Sequence, residues 1–91
     1  MDNKWYLYIL QCGDGTLYTG VTNDIAKRLE AHRQGKGAKY TRGRGPLRLV
    51  YREACADRSC AQQRESEVKK LSRAKKQEMI TAFLSQTENV K

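Results

Sequence analysis

The sequence predicts an α+β domain, on three observations. Two runs dense in aromatic and β-branched residues, 4–11 and 16–22, flank Gly13-Asp14-Gly15 and read as an antiparallel hairpin. Later segments carry apolar residues at helical spacing behind capping residues. The 91 residues suffice for one domain with one core, expected over residues 1–85, with a polar tail at 86–91. No internal repeat or linker divides the chain.

Residues 4–11, Lys-Trp-Tyr-Leu-Tyr-Ile-Leu-Gln, are apolar on both faces, as in a central strand covered on both sides. Period-two alternation puts Trp5, Leu7 and Ile9 on one face and Tyr6, Tyr8 and Leu10 on the other. Tyr18 and Gly20 share a face of the returning strand. One register therefore sets three phenolic hydroxyls beside a glycine that leaves room for a ligand. Taken alone, such tyrosines read as rings buried in a core.

Thr22-Asn23-Asp24 offers caps for a helix over 25–33, with Ile25 and Leu29 as its buried stripe. Arg28 and His32 share a different face, and their spacing alone reads as a surface pair. Residues 47–54 alternate Leu47, Leu49 and Tyr51 against Arg48, Val50 and Arg52, which predicts a third strand exposed on one side. Asp57 can cap a helix to about Leu71 with Ala61, Val68 and Leu71 inward. Glu65 falls on or beside that stripe, where a carboxylate needs a partner: a neighbouring Arg or Lys, or a divalent metal ion. Ser72 can cap a last helix that packs through Met79, Ile80, Phe83 and Leu84, with Lys75 and Lys76 on its basic surface.

Lys and Arg total 18 against 10 Asp and Glu, a net charge of +8, which favours a polyanionic partner such as nucleic acid. The charge concentrates in residues 35–46, a glycine-rich, acid-free run holding Lys36, Lys39, Arg42 and Arg44 around Tyr40. Glycines allow close backbone approach and cations neutralise phosphates, while Tyr40 can stack on a base or pin the loop. The order of a P-loop is absent. No segment approaches the roughly twenty apolar residues of a membrane span, and the N-terminus lacks an apolar leader core, so a cytoplasmic protein without a membrane partner is expected. Cys12, Cys55 and Cys60 with the single His32 match no zinc spacing and cannot all pair, which suits small reduced thiols.

Tyr6-Leu7-Tyr8, Tyr18-Thr19-Gly20, Arg28 with His32 four residues on, and Glu65 on a later helix together resemble the GIY-YIG nuclease superfamily. The loop Lys36-Gly37-Ala38-Lys39-Tyr40-Thr41-Arg42-Gly43, and Arg64-Glu65 followed by Lys69-Lys70-Leu71-Ser72, are similar to its small single-domain bacterial branch. The resemblance runs from about Trp5 to Leu84. It implies a three-stranded antiparallel sheet flanked by helices, and metal-dependent hydrolysis of phosphodiesters. It places Tyr8, Tyr18, Arg28, His32 and Glu65 in the catalytic site, with Glu65 as ligand to Mg2+ or Mn2+. Gly20 matches the motif glycine. Several relatives carry a lysine or another polar residue just after the second motif, where this chain has Val21-Thr22, and many carry a late asparagine after the glutamate, whereas Asn89 lies in the expected tail.

Phosphodiester cleavage requires an activated water, neutralisation of charge growing on the phosphoryl oxygens, and help for the departing oxyanion. Arg28 has the donor fork for phosphate, and Tyr8, Tyr18 or His32 can move a proton. Nucleic-acid binding is expected at Gly20, Lys36, Lys39, Tyr40, Arg42 and Arg44. The expected function is a magnesium-dependent endonuclease acting on DNA, more than RNA, with low sequence specificity in DNA repair or processing. The alternatives are a nucleic-acid-binding module that keeps the fold and basic loop without the chemistry, and an adaptor for an acidic protein.

Overall fold

A computed structural model describes residues 4–37 and 41–88 and places helices on both faces of a three-stranded antiparallel sheet. The elements are β1 (Trp5–Gln11), β2 (Leu17–Thr22), α1 (Ile25–Arg33), β3 (Arg48–Cys55), α2 (Arg58–Lys69) and α3 (Arg73–Glu88). The strand order β2-β1-β3 makes β1 central, as its two apolar faces require. The last helix continues into the segment expected as a tail. No helix among the described residues is long and apolar enough to cross a membrane.

The hairpin turn is built from its own side chains. Gly15 takes φ +86, and the Asp14 carboxylate accepts from the Thr16 N–H at 3.1 Å and hydroxyl at 2.6 Å. Asp24, Asp57 and Ser72 cap the three helices as expected, accepting from Lys27 N–H (3.1 Å), Cys60 N–H (2.8 Å) and Lys75 N–H (3.2 Å). Each such cap contributes about 1 kcal/mol.

Leu7 and Ile9 on one face of β1 meet Val50, Val68 and Ile80, with Tyr51, Met79 and Leu84 packed against them, so α2 and α3 cover that side. Tyr8 and Leu10 on the opposite face meet Ile25, Leu29 and Leu49, which puts α1 on the other. The third strand departs from the expected alternation. The register slips between Ile9, opposite Tyr51, and Leu10, opposite Leu49, so Val50 is an extra residue in a bulge. Leu49 and Tyr51 therefore pack on different faces, and Val50, read as part of an exposed side, is only 1% exposed.

Cys12 and Cys55 are buried, Cys60 is exposed, and all three are free thiols. Burial, and then the adjoining Cys60 thiol, push the Cys55 pKa up, so it is protonated at neutral pH.

Candidate active site

The hairpin register sets Tyr8 directly opposite Gly20, with Tyr6 opposite Thr22 and Leu10 opposite Tyr18. A Cβ on Gly20 would stand 2.6 Å from the Tyr8 hydroxyl oxygen and 2.7 Å from the ring carbon that bears it. The room expected there for a ligand is filled by the Tyr8 phenol, so the glycine serves the tyrosine. Tyr8 and Tyr18 lie with ring centroids 6.3 Å apart, and the His32 ring stands edge-on to both at 5.9 and 5.2 Å. Tyr6 shares their sheet face at the far end of the ladder, and the two phenols that meet His32 are Tyr8 and Tyr18.

α1 carries Arg28 and His32 one turn apart, but the two have opposite environments. Arg28 is exposed, whereas His32 is 1% exposed, which corrects the surface-pair reading. The helix stripe is Ile25, Leu29 and His32, because residues at i, i+4 and i+7 all turn toward the sheet. Buried imidazole nitrogens need partners. Nε2 lies 2.9 Å from the Tyr8 hydroxyl and Nδ1 2.9 Å from the Thr41 hydroxyl. Gly37 lies against the same ring, where a Cβ would enter it. Thr41 and Gly37 were not among the expected site residues. Both stand in the basic loop, where a hydroxyl and a glycine among cations were the available signal.

Burial, and then the Arg28 charge, hold the His32 pKa below the usual histidine range, so it is neutral at pH 7. The Arg28 guanidinium sits against the Tyr8 and Tyr18 hydroxyls and has its own pKa raised, mainly by Tyr8. Burial raises the Tyr8 pKa, Arg28 opposes that shift, and the Tyr18 and Glu65 charges reinforce it. Arginine only donates, so it leaves the Tyr8 proton to point at His32 Nε2. Nδ1 then carries the imidazole proton toward Thr41, so the Tyr8 hydroxyl and both ring nitrogens are partnered.

Since the folded state takes the His32 proton less readily than the unfolded chain, stability is intact above the ordinary histidine pKa of about 6.5 and is lost as pH falls toward the depressed folded value. Melting temperatures measured across that window should fall for the wild type more steeply than for His32→Gln. Equal slopes would place the acid sensitivity elsewhere, and there is no other histidine to carry it.

Glu65 stands on α2, near enough to the cluster for its charge to contribute to the raised Tyr8 pKa. Its Oε2 pairs with Lys69 Nζ at 3.1 Å, the neighbouring base anticipated for it, and its side chain is 24% exposed. Glu53, the other half-buried carboxylate among the described residues, is taken up by Arg64 at 2.9 Å and by the Tyr51 hydroxyl at 2.7 Å. Among the described residues no three His, Cys, Asp or Glu side chains converge, so a metal ion here would have Glu65 as its protein ligand. A single, partly exposed carboxylate fits Mg2+ or Mn2+, since magnesium gives up few of its waters and is commonly shared between one or two carboxylates and substrate phosphates.

The basic loop closes around this cluster from both ends. Lys36 and Arg42 are exposed, and Arg42 Nε donates to the Gly35 carbonyl at 3.2 Å. Arg44 pairs with Asp14 at 2.6 Å, while the Gly13 N–H donates to the Arg44 carbonyl at 2.6 Å, so this end is tied to the hairpin turn. Part of the Arg44 charge expected for phosphate is thus answered within the fold. Lys39 and Tyr40 lie outside the described residues.

Residues 4–78 match the family model described as the GIY-YIG catalytic domain. A UPF0213 protein of Desulfotalea psychrophila is 53% identical over 79 residues, covering 86% of this chain and 72% of that protein. A UPF0213 protein of Clostridium perfringens is 51% identical over 84 residues, covering 92% of this chain and 90% of that one. The solution NMR structure of a UPF0213 protein from Bacillus halodurans superposes with a TM-score of 0.57 at 51% identity, over 87% of this chain and 84% of that one.

Proposed function

The chain belongs to the GIY-YIG catalytic-domain family, and we propose that it is a metal-dependent endonuclease that hydrolyses phosphodiester bonds in DNA with low sequence specificity. The observation that carries this reading is the grouping of an exposed arginine and a buried tyrosine–histidine pair with a partly exposed glutamate near enough for its charge to act on that tyrosine.

Arg28 presents its planar fork to solvent, backed by two phenolic oxygens that favour its charge, and can bind the non-bridging oxygens of a phosphodiester. Tyr8 takes the proton of the attacking water. With its pKa raised, Tyr8 is not a standing phenolate at neutral pH, and it acts by passing its own proton to His32 Nε2 as it accepts another. Thr41 holds the imidazole in the tautomer that leaves Nε2 open. A phosphate anion bound at Arg28 offsets the charge that depresses His32, so the base strengthens when substrate arrives. Tyr18 shares the support of Arg28. A divalent ion on Glu65 would supply Lewis-acid neutralisation of a phosphoryl oxygen and of the leaving oxygen.

The ion pair that already satisfies Glu65 favours a second reading, a nucleic-acid-binding module without chemistry. One experiment separates the two. A labelled panel of single-stranded, duplex, nicked and branched DNA and of RNA is incubated with wild type and Glu65→Ala, with and without Mg2+. Cleavage is expected from wild type alone and only with the ion. Absence of cleavage, with both proteins still binding, would transfer the assignment to the binding module.

A further inference from the structure

β2 is an edge strand, and a cleft of about 240 Å³ runs beside it, lined by Leu17, Tyr18, Thr19, Lys69 and Lys76. It is continuous with the site already described, because Tyr18 lines one and contacts the other, and Lys69 holds Glu65. At its far end Arg73 Nη2 donates to the Gly15 carbonyl at 2.7 Å and ties α3 to the hairpin turn.

Lys76 distinguishes this cleft from the general basic surface. It is half-buried, yet no carboxylate among the described residues lies within ion-pairing distance of it. Its neighbour Lys75 is exposed and points to Glu78 at 4.0 Å. A lysine that buries its stem keeps its ammonium in water, and with no such carboxylate to neutralise it Lys76 offers an entering anion an uncompensated positive charge. A cleft of this volume has room for about one nucleotide. Its walls combine cations with an apolar and aromatic edge, the pairing that suits a single strand.

We propose that the cleft takes a single strand of nucleic acid leaving the scissile position along β2 toward Gly15, with one phosphate on Lys76 and its nucleoside against the Leu17–Thr19 edge. The direction rests on the nuclease reading above; the binding does not. Lys76 belongs to neither the motif residues nor the glycine-rich loop, and only the approach of α3 to the β2 edge brings it to the site.

Fluorescence anisotropy in EDTA, in a Glu65→Gln background across a salt series, tests the cleft without cleavage. The probes are a short labelled oligothymidylate and a duplex of matched length. Lys76→Gln is expected to weaken single-strand binding about fivefold and to lower the salt slope by about 0.7, with Lys75→Gln within about twofold of the parent. Lys76→Arg should retain the affinity, which separates charge from misfolding, and the duplex should respond less than the single strand. Equal losses for Lys75→Gln and Lys76→Gln, an equal loss on the duplex, or no loss at all would overturn the proposal. Normal cleavage with Lys76-independent binding would refute the cleft alone. Lys76-dependent binding by a protein that never cleaves would refute the nuclease alone.

Discussion

Arg28→Ala is expected to lower magnesium-dependent cleavage by about 10²- to 10³-fold, the scale for removing one preorganised donor from a developing oxyanion. Its melting temperature should fall far less than its rate, since Arg28 is exposed and its contacts with the fold are chiefly to the Tyr8 and Tyr18 hydroxyls. Single-turnover rates are the appropriate measurement, because the effect belongs to the chemical step. Arg28→Lys should remain impaired, as an ammonium restores the charge without the fork. A second readout follows from the electrostatics. The Arg28 charge helps to depress His32, so its removal should move the acid limb of the pH–rate profile toward higher pH. A rise in KM with kcat and the pH profile unchanged would reduce Arg28 to a ground-state phosphate contact.

Gly20→Ala should affect both fold and chemistry. The new methyl would have to displace the Tyr8 phenol, and overpacking of this kind costs about 1–3 kcal/mol. Displacing Tyr8 also strips His32 Nε2 of its partner, so cleavage should fall even in the fraction that remains folded. Gly45→Ala is the control: a Cβ there meets nothing within 4 Å, and a change within about 0.5 kcal/mol is expected. Denaturant unfolding reads the first effect and initial rates, corrected for folded fraction, the second. A Gly20→Ala protein as stable as Gly45→Ala would mean that the Tyr8 ring moves freely and is not held for its role.

Much of this architecture is local and could be read residue by residue. Strand β1 has two apolar faces, so it is central wherever it is placed. Asp24, Asp57 and Ser72 stand before apolar stripes, and a side-chain oxygen at that position caps a helix whatever lies beyond. The order of Tyr8, Tyr18, Gly20, Arg28 and Glu65 was likewise enough to suggest the family, which the match over residues 4–78 shows.

The misreadings share one cause. Val50 alternated as if exposed, but a bulge adds a residue to one strand only, and no periodicity within that strand reveals it. His32 read as a surface neighbour of Arg28, yet its burial depends on Tyr8 from one side and on Thr41 and Gly37 from the other. Gly20 announced close approach without naming what approaches.

The sequence by itself thus determined the elements, their caps, the central strand and the residue types of the candidate site, since these follow from period, capping and composition within a few neighbouring positions. Only the tertiary structure decided which tyrosines meet the histidine, that the imidazole is buried and neutral, that Lys69 holds Glu65, and that Lys76 reaches the β2 edge. Those facts are set by groups far apart in the chain, whose pairing depends on the register of the hairpin and the packing of α1 and α2–α3 against opposite faces of one sheet.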